Sequence, residues 1–181
     1  EGAGVGGSPT ASVQRSPPPN LPHKGGGVLR FRAWIGPGSW ALYALGLAPG
    51  VWTFYLAVGD QLGADPLKAL ERTLGLWALR FLVIGLAVTP LRRIGGPNLI
   101  RYRRTIGLLA FFYALAHVVV YVVLDQGLDV AAIAADILKR PYITIGMVAF
   151  LTLVPLAVTS NATMIRRLGA AAWQKLHRWV Y

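Results

Sequence analysis

His117 and His177 are the residues of this 181-residue chain best suited to chemistry. Each imidazole stands four residues before a tyrosine, in AHVVVY (His117–Tyr121) and LHRWVY (His177–Tyr181). The chain has no cysteine, so disulfides, iron–sulfur clusters and thiolate metal sites are excluded. Imidazole and carboxylate are the strong ligands that remain. Two imidazoles on separate helices are what axial ligation of a heme iron needs, and such sites are built from facing helices of a bundle. Each histidine also has a plainer reading. His117 can serve as a core hydrogen bond to a neighbouring helix, and His177 as an interfacial residue among Lys175, Arg178 and two tryptophans. The third histidine, His23, lies beside Pro22 and Lys24 in a polar tail and reads as solvated.

His117 gains weight from its setting. It falls in Arg101–Leu124 (RYRRTIGLLAFFYALAHVVVYVVL), a basic cluster followed by an apolar run. That run is about the length of a membrane span. An ionisable side chain inside a span is expensive and marks a functional site by default. At 1.5 Å per residue His117 lies roughly 20 Å beyond Arg104. Successive turns back on its side offer Ala114 or Tyr113, then Ala110, then Gly107. Small residues there let a flat ligand or another helix approach the backbone. Tyr121, one turn onward, can set a hydroxyl or ring beside whatever His117 holds. Arg80 is the other intramembrane charge, and it must either snorkel to the headgroups or pair with a buried anion such as a heme propionate. No paired-carboxylate pattern, phosphate loop, nucleophile elbow or zinc spacing is present.

The elements that position these residues follow from composition. The chain is 55% hydrophobic and 14% charged, with a net charge of +11; soluble domains are about 25% charged. The hydrophobicity lies in long blocks, which predicts an all-α, polytopic transmembrane helix bundle. The arginines sit at the block edges, as membrane-flanking charge does, so the basic balance does not point to nucleic acid. Residues 1–32 are rich in Gly and Pro and predict a disordered tail. Spans are expected over Trp40–Val58, with a kink at Pro49-Gly50, then Thr73–Leu91, Arg101–Leu124 and Tyr142–Thr159. The AAIAADIL string between the last two predicts a short interfacial helix, and a fifth span begins near Tyr181. Basic residues cluster before the first span, between the second and third, and after the fourth. That alternation predicts a cytoplasmic amino terminus. Starting at Glu1 and stopping in an apolar segment, the chain reads as incomplete at both ends.

The strings GADPLKALERTLGLWALRFLV, VTPLRR, KRPYITIGMVAF, LAVTSN and RRLGAAAWQKLHRWVY, together with the His117 run, occur in an order that resembles the MsrQ (YedZ) family. This is the heme-binding membrane subunit of the bacterial periplasmic protein-methionine-sulfoxide reductase system, in the ferric-reductase-like transmembrane group. The likeness covers about residues 63–181. It implies that residues 33–181 form a heme-binding transmembrane domain, of six helices in the intact family, in the bacterial inner membrane. It implies b-type heme on His117 and His177, with flavin mononucleotide as a second cofactor. It implies electron delivery from the quinone pool or a cytoplasmic flavin reductase to MsrP, a periplasmic molybdopterin reductase. The family carries a further histidine later in its fifth helix, beyond Tyr181. Depth then assigns His117 and that histidine to an outer site, and His177 with Arg103 to an inner one. Arg80, Tyr121 and Tyr181 complete the expected cofactor-binding set.

Overall fold

Four apolar runs joined by short polar connections dictate the architecture. The computed structural model describes Gly2 and residues 37–178. Apart from Gly2, the tail expected over 1–32 lies outside the described residues, as do His23 and Tyr181. The helices are α1 (Pro37–Val58), α2 (Pro66–Arg93), α3 (Arg103–Val119), α4 (Val130–Lys139), α5 (Pro141–Val158), α6 (Ala162–Leu168) and α7 (Ala170–Arg178). A 3₁₀ turn at Ile100–Tyr102 leads into α3, and a π-helical turn at Val120–Asp125 prolongs it. There is no strand among the described residues. Four segments are long and apolar enough to cross a membrane: Gly38–Val58, Pro66–Arg93, Ile100–Asp125 and Pro141–Val158. The fold is a polytopic transmembrane helix bundle.

Boundaries moved where caps decide them. The second span begins at Pro66, well before Thr73, because the Asp65 carboxylate accepts the Lys68 N–H at 3.0 Å and Pro66 occupies the first turn. A side-chain cap and a proline free of the need to donate start a helix whatever its mixed charge. Asp129 caps α4 in the same way, accepting from Ala131 and Ala132, and α4 is the short helix expected from AAIAADIL. Gly169, at φ 77°, separates α6 from α7.

The core is the seam between α2 and α3. Leu70, Leu74, Ala78, Phe81 and Val88 of α2 meet Ile106, Leu109, Ala110, Tyr113 and Val120 on the α3 side. The α3 stripe recurs at helical spacing, and His117 falls in it between Tyr113 and Val120. Lipid is as apolar as leucine, so such a seam is held by close packing and interhelical hydrogen bonds. Glycines make the approach possible. A methyl group added at Gly46 of α1 would stand 2.5 Å from Leu109 Cδ1, and one at Gly50 3.0 Å from the Tyr113 ring. On the other side of α3, α5 leans on it through the stacked rings of Phe111 and Phe150 and buries none of its own residues.

Candidate functional site

His117 is half-buried on the face of α3 turned to α2. Its Nδ1 lies 2.9 Å from the backbone carbonyl oxygen of Glu71. A carbonyl only accepts, so Nδ1 carries the proton and donates it. The tautomer is thereby fixed, with an unprotonated lone pair on Nε2. The ring lies against α2 at Gly75, where an added methyl would come within 3.2 Å of Nδ1 and 3.3 Å of Cε1. Among the described residues no hydrogen bond reaches Nε2. This is the second-layer arrangement that metal-bound imidazoles use, one nitrogen tied to a carbonyl and the other offered.

His177 repeats the chemistry by a different route. Its Nδ1 lies 3.1 Å from the carbonyl of Trp173, one turn back on α7, and its ring stacks on the Trp173 indole at 4.1 Å between centroids. The indole N–H donates to the Thr159 carbonyl at 3.0 Å, fastening α7 to the end of α5. Nε2 is again the nitrogen left with a lone pair. Both imidazoles therefore fit an iron ligand by their donor chemistry, and heme needs no more than one such nitrogen on each side. Among the described residues no group of three or more His, Asp or Glu gathers as an ion site.

The other expected residues are dispersed. Arg80 is exposed on α2, its guanidinium 4.7 Å from the centre of the Trp77 ring. It makes no ion pair among the described residues, and its charge lies over the indole as a cation–π contact. Arg103 is half-buried in the first turn of α3. Tyr121 is 8% exposed and donates its hydroxyl to Asp136 Oδ2 of α4 at 3.2 Å. The π-helical turn carries it there. Widened turns of this kind are common beside functional residues. Of the small residues behind His117, Ala110 is fully buried in the α2–α3 seam, whereas Gly107 is exposed with open space beside it.

Three features were not anticipated. Tyr113 inserts its hydroxyl into the backbone of α1, accepting from the Gly50 N–H at 2.8 Å and donating to the Gly46 carbonyl at 2.7 Å. Those are groups that an unbroken helix joins directly, and Pro49 sits between them. Around it is an apolar recess of about 140 Å³, lined by residues that include Leu47, Gly50, Phe54, Phe112 and Ala116. The second is the seat at Glu71 and Gly75. The third is a polar cluster past His117, where Lys68 Nζ pairs with Asp125 at 2.7 Å and Arg140 with Asp136 at 3.4 Å. The Gly46-x-x-x-Gly50 spacing was a signal for the first. An isolated glycine in a strong helical run was one for the second.

The comparisons with known proteins agree with one another. The family described as ferric reductase like transmembrane component matches residues 74–181. Curated relatives named protein-methionine-sulfoxide reductase heme-binding subunit MsrQ, from Brucella anthropi, Brucella ovis and Brucella suis, are each 58% identical over 142 residues. Those matches take in 78% of this chain and 64% of each relative. No solved structure matches the chain. The chain belongs to the ferric-reductase-like transmembrane family.

Proposed function

We propose that the protein is a b-type heme subunit that carries electrons across the bacterial inner membrane to a periplasmic protein-methionine-sulfoxide reductase. The observation that carries this reading is the shared state of two imidazoles on membrane-associated helices. In both, Nδ1 donates to a backbone carbonyl and Nε2 is left as a ligand. The names of the relatives support heme and the reductase system. His117 holds iron at the outer site. His177, with Arg103 near its level, serves the inner one, and Tyr181 flanks it.

Bound at these nitrogens, heme supplies a one-electron couple that cycles with little ligand rearrangement. The chain's own residues do the rest. The Glu71 carbonyl holds the Nδ1 proton and makes the other nitrogen a stronger donor. The apolar seam excludes water, and the Arg80 charge on its tryptophan raises the local potential. The sulfoxide chemistry itself belongs to the partner, the molybdopterin enzyme MsrP. The donor is the quinone pool or a cytoplasmic flavin reductase, with flavin mononucleotide as second cofactor. The amino terminus and the basic loops face the cytoplasm, a reading that their Lys and Arg content supports.

An optical spectrum of the purified protein tests this. A sharp Soret band, with lower-energy bands that sharpen on reduction and bleach when oxidised MsrP is added, is the expected result. A colourless protein overturns the heme, and a reduced spectrum indifferent to MsrP overturns the acceptor.

A further inference from the structure

We infer that one turn of α2, from Glu71 to Gly75, is the seat that orients the His117 ring, and that Gly75 is a positioning residue because it lacks a side chain. The inference rests on the heme reading and adds a residue to it.

Two contacts define the seat. The Glu71 carbonyl takes the His117 Nδ1 proton at 2.9 Å. In an α-helix that same carbonyl is also the acceptor for the N–H four residues on, which is Gly75. The imidazole thus docks onto a helical hydrogen bond at its two ends, and the residue between ring and helix has to be small. The geometry meets that condition narrowly. A Cβ at Gly75 would sit 3.2 Å from Nδ1 and 3.3 Å from Cε1, nearer than carbon normally approaches. The ring would have to give by a few tenths of an ångström, and it would turn about the bond that fixes its tautomer. Other glycines of the spans lack this consequence. Gly146 of α5 has no atom within 4 Å of an added Cβ, so alanine there reports only the general effect of the exchange.

Gly75 touches neither iron nor substrate, so the test must read the ligand and not turnover. Heme content, electron paramagnetic resonance of the ferric form and the midpoint potential are compared for the heme-loaded protein and its G75A, G75V and G146A variants. G75A is expected to keep its heme with shifted resonance and potential. G75V is expected to loosen heme by about ten- to a hundred-fold, as loss of an orienting partner does. G146A should match the parent. G75A and G75V spectra identical to the parent's would overturn the seat and leave the heme reading standing. A parent without heme would overturn both.

Where G75A fails to fold, H117G read with added imidazoles takes its place. Imidazole, which has an N–H for the Glu71 carbonyl, is expected to restore the low-spin spectrum at tenfold or more lower concentration than 1-methylimidazole. Equal restoration by the two would overturn the seat.

Discussion

The two candidate ligands make the same hydrogen bond in opposite ways. His177 bonds a carbonyl of its own helix, one turn back, and leans on the tryptophan that supplies it. His117 bonds a carbonyl 46 residues away on another helix. The first arrangement is local and forms wherever α7 forms. The second exists only when α2 and α3 are packed in register, so the tautomer of His117 reports tertiary structure and that of His177 reports secondary structure. An imidazole bonded within its own helix is assembled locally. One inside a span has to be held by neighbours, because an unpartnered imidazole there is costly.

Removing each imidazole is the most forceful way to break the comparison. H117A is expected to abolish one spectral component of the heme and H177A a different one. Heme quantification with redox titration of each variant reads this. If both variants lose all heme to the same degree, the two histidines serve one iron and the division into outer and inner sites fails.

Tyr113 comes next, because it too acts across helices. Y113F keeps the ring that packs on Trp77 and Phe81 but withdraws the hydroxyl from Gly46 and Gly50. Leaving buried backbone groups short of a partner costs about 1–3 kcal/mol. Reversible unfolding in mixed micelles should show a loss of that size. G46L, which drives carbon into Leu109, should lose a similar amount through overpacking, about 1–3 kcal/mol. A Y113F protein as stable as the parent would mean that Gly50 and Gly46 re-form their direct bond without strain.

A local arrangement should be harder to disturb. W173F deletes the indole donor to Thr159 but keeps a ring beside His177 and keeps the Trp173 position's carbonyl, to which Nδ1 donates. The expected loss is one ordinary hydrogen bond, about 1 kcal/mol, with the heme component assigned to His177 unchanged in potential. A shifted potential would show that the docking of α7, and not its own turn, sets that imidazole.

Most of the scaffold was legible because lipid writes a coarse code. Apolar runs of membrane length gave four spans, and the AAIAADIL string gave the connecting helix. The start of α2 was missed because its first two turns carry Lys68, Glu71 and Arg72. Those charges read as loop until the Asp65 cap and Pro66 are weighed. His117 was legible because an ionisable side chain inside a span is costly, and His177 because it repeats the same four-residue spacing to a tyrosine. Their partners were not. Glu71 acts through its carbonyl, which every residue has, and Gly75 through an absent atom. Tyr113 looks like any aromatic in an apolar run, and its role appears only when Pro49 of another helix is set beside it. The π-helical turn that sends Tyr121 to Asp136 has no letter of its own either.

The smallest effect is expected where a strong-looking contact borders the seat. Lys68 Nζ lies 2.7 Å from Asp125 and 3.7 Å from Glu71, tying the first turn of α2 to the end of the π-helical turn. The lysine side chain is 56% exposed, and exposed ion pairs contribute about 0.2–1 kcal/mol. Asp125 would not be stranded by K68A, because Gln126 also donates to it at 2.9 Å. Glu71, for its part, holds His117 through the main chain, which a change at Lys68 leaves in place. K68A should therefore lower stability by less than about 1 kcal/mol, by a margin that shrinks as salt screens the pair. The His117 heme component should keep its resonance and potential. If K68A instead moves that resonance, the Glu71 carbonyl depends on the charges at the head of α2, and the seat extends one turn further than the Glu71–Gly75 contacts require.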